Sequence, residues 1–279
     1  METKILFTDL DGTLLNSNKE ITKENQDAIN RALEAGHKVV LNTGRPLTGC
    51  LEQIKELKLN RKDCYAITFN GGLIYDCLTG KTLYKKVIPL EYARYIFKET
   101  GKRGIYCQTY SNEGVLSAQM TPELQFYAER THNPYKIIPD LPNQLSEEPV
   151  KLLAIDLSED NTALDGYRKD MQEWAKGKVS IFYSSKSYLE HVPYGISKGA
   201  AIQYLCEYLN LPLSSTVAVG DEENDLTMLQ TAHVGVAMAN AIPQVKACAD
   251  YITKKDCDHS GVAEVIERFL LADTQLSSK

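Results

Sequence analysis

The chain has 279 residues, 43% hydrophobic and 24% charged, enough for two modest domains with cores of their own. A formal net charge of -6 argues against non-specific binding to nucleic acid or to an acidic membrane surface. Seven cysteines (50, 64, 77, 107, 206, 248 and 257) stand singly, with no C-x-x-C pair, which reads as reduced thiols of a cytoplasmic protein and not as a disulfide frame or zinc site.

Ile5–Thr8 is an apolar run that predicts a buried strand, and it leads directly into Thr8-Asp9-Leu10-Asp11-Gly12-Thr13. Thr22 is placed to cap a helix whose apolar positions Ala28, Ile29, Ala32 and Leu33 share one face and which ends at Gly36. Lys38–Thr43 predicts a second strand, nearly all apolar, as strands covered on both faces are. Leu47, Leu51, Ile54 and Leu57 predict a second helix, and Tyr65–Phe69 a third strand ending in Asn70-Gly71-Gly72. This βαβαβ order opens a doubly wound sheet, in which ligands bind outside the carboxyl ends of the strands.

From about Tyr84 to Glu190 the pattern changes. IYCQTY, GVLSAQ, KLLAIDLS and VSIFYSS read as longer strands, separated by two or three helical patterns that include Asp160–Gly177. This predicts an inserted α+β domain with an antiparallel sheet and helices on one face. Acidic and basic residues are near balance within it, so a nucleic-acid surface is not suggested. Most of the 16 tyrosines lie between Tyr84 and Tyr194, which reads as β-propensity and core packing or, for some of them, as a substrate-facing wall. After Pro193 the α/β rhythm resumes with a helix over Ser197–Leu209 and a strand over Thr216–Gly220, followed by Asp221-Glu222-Glu223-Asn224-Asp225. A strand at 235–238, a short helix near Gln244–Cys248, a strand at 251–253 and a last helix over Val262–Leu271 complete the pattern. The expected division is therefore a discontinuous core, 1–83 and 191–279, around an insertion at 84–190. No signal-peptide pattern and no run of membrane-spanning length is found, and Asp273–Lys279 read as a frayed tail.

The polar strand ends carry the chemistry. Asp9 and Asp11 are like charges two residues apart, which a divalent cation or a shared proton must hold together. Thr43 and Gly44 end the second strand, Lys198 opens a late helix, and Asp221, Asn224 and Asp225 follow a late strand. Hard oxygen ligands, one cation, a hydroxyl and backbone donors are the parts phosphoryl transfer needs. Each fragment alone has an ordinary reading: an Asx turn, a strand end, a surface lysine, a capped turn. Asn70 either contacts substrate at the crevice or serves a turn with Gly71. Cys257-Asp258-His259 reads as a surface loop. The five histidines fall in none of these segments.

D-x-D-G-T after a strand, Thr at the next strand end, a lone Lys much later and then G-D-x-x-N-D resemble the haloacid dehalogenase superfamily of phosphatases. TGRP (Thr43–Pro46), FNGG (Phe69–Gly72), SKG (Ser197–Gly199), GDEEND (Gly220–Asp225) and GVAMANA (Gly235–Ala241) resemble its Cof-type sugar-phosphatase branch. The resemblance implies a Rossmann-like core with an inserted α+β cap that supplies contacts to the leaving group. It implies Asp9 as the nucleophile that forms an aspartyl-phosphate and as a Mg²⁺ ligand. Asp11 is then the acid for the leaving alcohol and afterwards the base for water, binding metal through its backbone carbonyl. Thr43 and the N–H groups of Gly44 and Leu10 hold the phosphoryl group, and Lys198 neutralises its charge and orients Asp9. Asp221 is the second carboxylate on Mg²⁺, Asn224 touches phosphate, and Asp225 supports the metal ligands from behind. Gly12 lets the chain turn with its backbone near the ligand, and Thr13 is expected to stabilise that turn. The implied activity is hydrolysis of small phosphorylated metabolites, sugar phosphates first. A phosphomutase sharing the intermediate and a non-catalytic phospho-aspartate switch are the alternatives. The intact Asp11 and the large insertion argue against the switch.

Overall fold

The structure is a computed structural model and describes residues 3–272, so the expected tail Asp273–Lys279 lies outside the described residues. From the N-terminus run β1 (Ile5–Thr8), α1 (Lys23–Glu34), β2 (Lys38–Asn42), α2 (Leu51–Glu56), β3 (Tyr65–Thr68), β4 (Leu73–Asp76) and β5 (Lys81–Lys85). The middle holds α3 (Leu90–Gly101), β6 (Tyr106–Ser111), β7 (Gly114–Ser117), α4 (Pro122–Thr131), β8 (Tyr135–Ile137), α5 (Leu141–Gln144), β9 (Leu152–Ile155), α6 (Thr162–Ala175), β10 (Val179–Ser185) and β11 (Tyr188–Pro193). The chain closes with α7 (Lys198–Tyr208), β12 (Thr216–Gly220), α8 (Leu226–Thr231), β13 (Val234–Ala237), α9 (Pro243–Cys248), β14 (Tyr251–Ile252) and α10 (Gly261–Phe269).

Two compact units result. Among the described residues the first takes 3–44, Leu51–Leu83 and 197–272. Its eight-stranded sheet has the order β14-β13-β12-β1-β2-β3-β4-β5 and is parallel from β14 to β3. β1 is central, with Phe7 opposite Ala218 on one side and Val40 on the other, and all four of its residues are buried. Such strands need covering on both faces, and the apolar sides of the helices supply it. In α1, Thr22 caps the helix by accepting from the Asn25 N–H, and Ala28, Ile29 and Ala32 are buried. This is the expected Rossmann-like α/β core.

The second unit comprises Arg45–Cys50 and Tyr84–Ile196. Its sheet, β10-β11-β9-β6-β7-β8, is antiparallel except where β7 meets β8. Leu152 and Ala154 of β9, Cys107 of β6 and Leu189 of β11 pack with Ala93, Ile96 and Phe97 of α3 and Leu164, Tyr167 and Met171 of α6. Among the described residues, no helix is long and apolar enough to cross a membrane.

Four expectations are corrected. The return from the insertion falls at 196/197 and not at 190/191, because β11 pairs with β10 out to Pro193. Helices cover both faces of the inserted sheet: Tyr127 of α4 meets Tyr110 and Tyr188 on the face opposite α3 and α6. The single helix expected from Leu47 to Leu57 is a 3₁₀ turn at Leu47–Gly49 followed by α2, with Leu51 47% exposed. The third strand stops at Thr68, where Phe69 turns to φ 52°.

Candidate active site

The strand ends of the first unit build the site. Asp9 leaves β1 with its N–H donating to the Val219 carbonyl at 3.1 Å, which fixes it beside β12. Asp221 follows β12, and Asn224 and Asp225 lie in the 3₁₀ turn after it, closed by a capping box between Glu222 and Asp225. Lys198 is the first residue of α7, whose Ser197 cap accepts from the Ala200 N–H. Gly12, at φ 78°, has no alternative here: a Cβ would sit 2.3 Å from Asp221 Oδ2.

Lys198 is fully buried, and its Nζ donates to Asp9 Oδ1 at 2.6 Å and Asp225 Oδ1 at 2.5 Å. The other oxygen of Asp225 accepts the N–H groups of Asp221 (2.8 Å) and Glu222 (3.0 Å). Asp225 thus spends both oxygens on bracing. The Thr13 hydroxyl donates to Asp221 Oδ1 at 2.7 Å. Oxygens of Asp9, Asp221 and Asp225 lie within 4.8 Å of one another. Three buried carboxylates face one ammonium, so the cluster carries excess negative charge. Burial pushes the Asp9 carboxyl up to about 7 against the pull of Lys198, with Asp225 adding to the rise. Burial, and then Asp9 and Asp225, hold the Asp221 carboxyl well above the usual range. Burial opposes the charge on Lys198, but Asp225 and Asp9 outweigh it and raise its pKa, so the ammonium persists. A hard divalent cation among oxygen ligands would relieve this imbalance, and the donor set suits one. Asp9 and Asp221 are the residues with oxygens to offer it.

Asp11 stands outside this cluster. Its carboxylate is 41% exposed and pairs with Lys19 Nζ at 2.7 Å. Lys19 sits at φ 65° in the turn that folds Leu15 back against Asp11 and Ile21. Thr43 is tied to the neighbouring strand, its N–H donating to the Ile67 carbonyl at 2.9 Å, and the Asn70 N–H donates to the Thr43 carbonyl at 3.0 Å. Asn224 Nδ2 donates to Asn70 Oδ1 at 2.9 Å, and Gly44 packs against the same Asn70 side chain. Leu10 is buried between the two aspartates.

Sequence reasoning missed several supports. The Thr13 hydroxyl reaches Asp221 and does not serve its own turn, a bond between residues 208 apart that no local pattern signals. Asn42 donates to the Lys198 carbonyl at 3.2 Å, and Asn240 to the Gly12 carbonyl at 2.7 Å. A polar side chain ending an apolar strand is the available hint for Asn42. Cys257–His259 forms a 3₁₀ turn capped by Asp256, and Asp258 accepts from Ser17.

A family model for haloacid dehalogenase-like hydrolases matches residues 6–266. A Streptococcus pyogenes protein whose name describes it as a candidate phosphatase is 35% identical over 97% of this chain and 100% of its own length. A Bacillus subtilis protein named a 5-amino-6-(5-phospho-D-ribitylamino)uracil phosphatase is 29% identical, with 97% of each chain covered. The crystal structure of a haloacid dehalogenase-like hydrolase from Bacteroides thetaiotaomicron is 32% identical, covers 96% of this chain and 99% of its own, and superposes with a TM-score of 0.85. The chain therefore belongs to the haloacid dehalogenase-like hydrolases and is an enzyme of their phosphatase class.

Proposed function

We propose that this enzyme hydrolyses small phosphorylated metabolites, sugar phosphates first, with Mg²⁺, through a phosphoryl group carried on Asp9. The observation that carries the reading is the buried Lys198 bridging Asp9 and Asp225, with Asp221 adding a third carboxylate. The Bacillus relative, named for a substrate with a phosphorylated ribityl chain, supports a sugar-like leaving group.

Asp9, ionised and held by Lys198, attacks phosphorus in line: an Asp9 Oδ–P bond forms as the bond to the leaving oxygen breaks. Asp11 gives its proton to that oxygen. The Lys198 ammonium, the Thr43 hydroxyl, the N–H groups of Leu10 and Gly44, and Asn224 take up charge on the phosphoryl oxygens. In the second half, Asp11 accepts a proton from water as the water oxygen bonds to phosphorus, and Asp9 is released with inorganic phosphate. The Asp11 side chain lies outside the carboxylate cluster, and it acts as the acid only once it exchanges its ion pair with Lys19 for a proton. Asp9, Asp221 and the Asp11 carbonyl would hold Mg²⁺, and when bound the ion neutralises the carboxylates and draws charge from the phosphoryl oxygens. Asp225 acts through Lys198 and the Asp221 backbone. The insertion, Tyr84–Ile196, lies outside these motifs and is assigned the choice of leaving group.

The test is a steady-state assay of inorganic phosphate release from a panel of sugar phosphates, with Mg²⁺ and with EDTA. Phosphate release that needs Mg²⁺, and that falls at least about a hundredfold in Asp11→Asn, is expected, since general acid–base groups contribute that much. Isomerised sugar phosphate without free phosphate would identify a mutase instead, and no turnover of any phosphomonoester would leave a switch.

A further inference from the structure

We infer that Asn70 is a direct contact of the transferring phosphoryl group. The inference rests on the phosphatase reading above and gives a role to Asn70, whose place in the FNGG segment leaves substrate contact and a turn equally open.

Asn70 lies in the 3₁₀ turn Phe69–Gly71 that closes β3 and is fully buried. Its backbone is left-handed (φ 58°, ψ 30°), as is that of Phe69 (φ 52°). Two successive non-glycine residues in this region are unfavourable, less so for Asn than for an ordinary side chain. The surroundings impose the turn. The Asn70 N–H is fixed to the Thr43 carbonyl at 3.0 Å. Gly71, at φ 101°, lies so close to α7 that a Cβ would meet the Ser197 carbonyl oxygen at 2.4 Å. The turn is therefore held between the strand end that carries Thr43 and the helix start that carries Lys198.

The side chain is equally constrained. Oδ1 accepts from Asn224 Nδ2 at 2.9 Å, which sets the plane of the amide. Nδ2 is buried and has no hydrogen-bond partner among the described residues, and it lies 3.3 Å from the position a Gly44 Cβ would take. A buried amide donor without an acceptor is costly, and native structures answer it with a water, an ion or a ligand. An NH₂ group is a donor only, so its ligand carries acceptor oxygens and is not a cation. Beside Thr43, Gly44 and Asn224, the ligand with such oxygens is the phosphoryl group. Backbone strain and an unanswered donor at one residue are the combination expected where a side chain is held ready for a ligand.

The test measures inorganic phosphate binding in the presence of Mg²⁺, by calorimetry and by competition against p-nitrophenyl phosphate, together with the thermal midpoint. Asn70→Gly suits the left-handed backbone and removes only the amide. It should keep or raise the thermal midpoint while weakening phosphate about tenfold, the loss of one hydrogen bond to a charged group. Asn70→Asp keeps the size and the bond from Asn224 but replaces the donor with an anion, and it should weaken phosphate more than Asn70→Gly does. This second variant carries the test if the glycine variant does not fold. Phosphate affinity unchanged in both variants overturns the inference, and so does a loss of thermal midpoint with phosphate affinity intact. Thr43→Val separates the two levels. If it weakens phosphate and Asn70→Gly does not, the role of Asn70 alone fails; if wild type binds no phosphate, the phosphatase reading fails with it.

Discussion

Each unit of the molecule buries a lysine against carboxylates, and the two arrangements differ in balance. In the first unit Lys198 meets Asp9 and Asp225, and Asp221 adds a third carboxylate to the same cluster. In the second, Lys151 Nζ lies 3.0 Å from Glu190 Oε2, with side-chain exposures of 2% and 3%. Glu190 Oε1 also accepts from the Ser184 hydroxyl, and the Lys151 ammonium lies 4.8 Å from the Tyr110 ring centroid. The second sets an ammonium against a carboxylate. The first sets three carboxylates against one ammonium, a negative surplus that a cation can use and that must be neutralised before a phosphate can approach. Burial of charge therefore does not mark a site here; the mismatch does.

The comparison breaks first at Asp9. Asp9→Asn keeps the shape and removes the nucleophilic charge, so turnover of p-nitrophenyl phosphate should fall at least about a thousandfold with circular dichroism unchanged. Retention of more than a few per cent of wild-type turnover would refute the nucleophile. Next is the balanced pair. Lys151→Met strands Glu190 in the interior and should cost about 3–5 kcal/mol in denaturant unfolding, whereas the double variant Lys151→Met/Glu190→Leu should recover most of it. A double variant no more stable than the single would show that the pair serves more than its own neutrality. The smallest effect is a difference in sign with pH. In EDTA, Asp9 is raised by burial to about 7 from 3.8, so its contribution to stability is present below 3.8 and lost as pH rises through about 7. His191 is lowered by burial to about 4 from 6.5, so its contribution is present above 6.5 and lost as pH falls through about 4, on the order of 3 kcal/mol. Amide exchange resolved by segment should show the Asp9 region loosening toward alkaline pH and the His191 region toward acid. The same sign in both would contradict the assignment of burial as the dominant cause.

Much of the first unit was legible because its strands are short apolar runs ending in polar residues. β1, β2, β3 and β12 need no tertiary information to be found, and the strand-end rule then points to Asp9, Thr43 and Asp221. β4 and β5 were not found. KTLYK is a largely exposed strand at the sheet edge, and LIYD beside it is buried only at Leu73 and Ile74, so neither carries a long apolar run or a clean alternation. In the inserted unit β11 was hidden because Glu190 and His191 sit in its middle, and only the facing Lys151 and Tyr167 make those residues acceptable inside a sheet. At the site, Lys19 and Asn70 were illegible as partners for a common reason. Each occupies a left-handed turn position, where sequence suggests a loop and for Asn70 a substrate contact as the alternative, and what each side chain reaches is set by distant segments.

The long separations within the site bear on how the protein comes to be made. The bond from Lys198 to Asp9 spans 189 residues and that from Thr13 to Asp221 spans 208. β1, the centre of its sheet, lacks its β12 neighbour until residue 220 has left the ribosome. Throughout that interval the nascent chain presents an unpaired edge of a short, largely apolar strand, a feature prone to wrong pairing, so its yield on refolding should depend more on dilution and on chaperones than its final stability suggests.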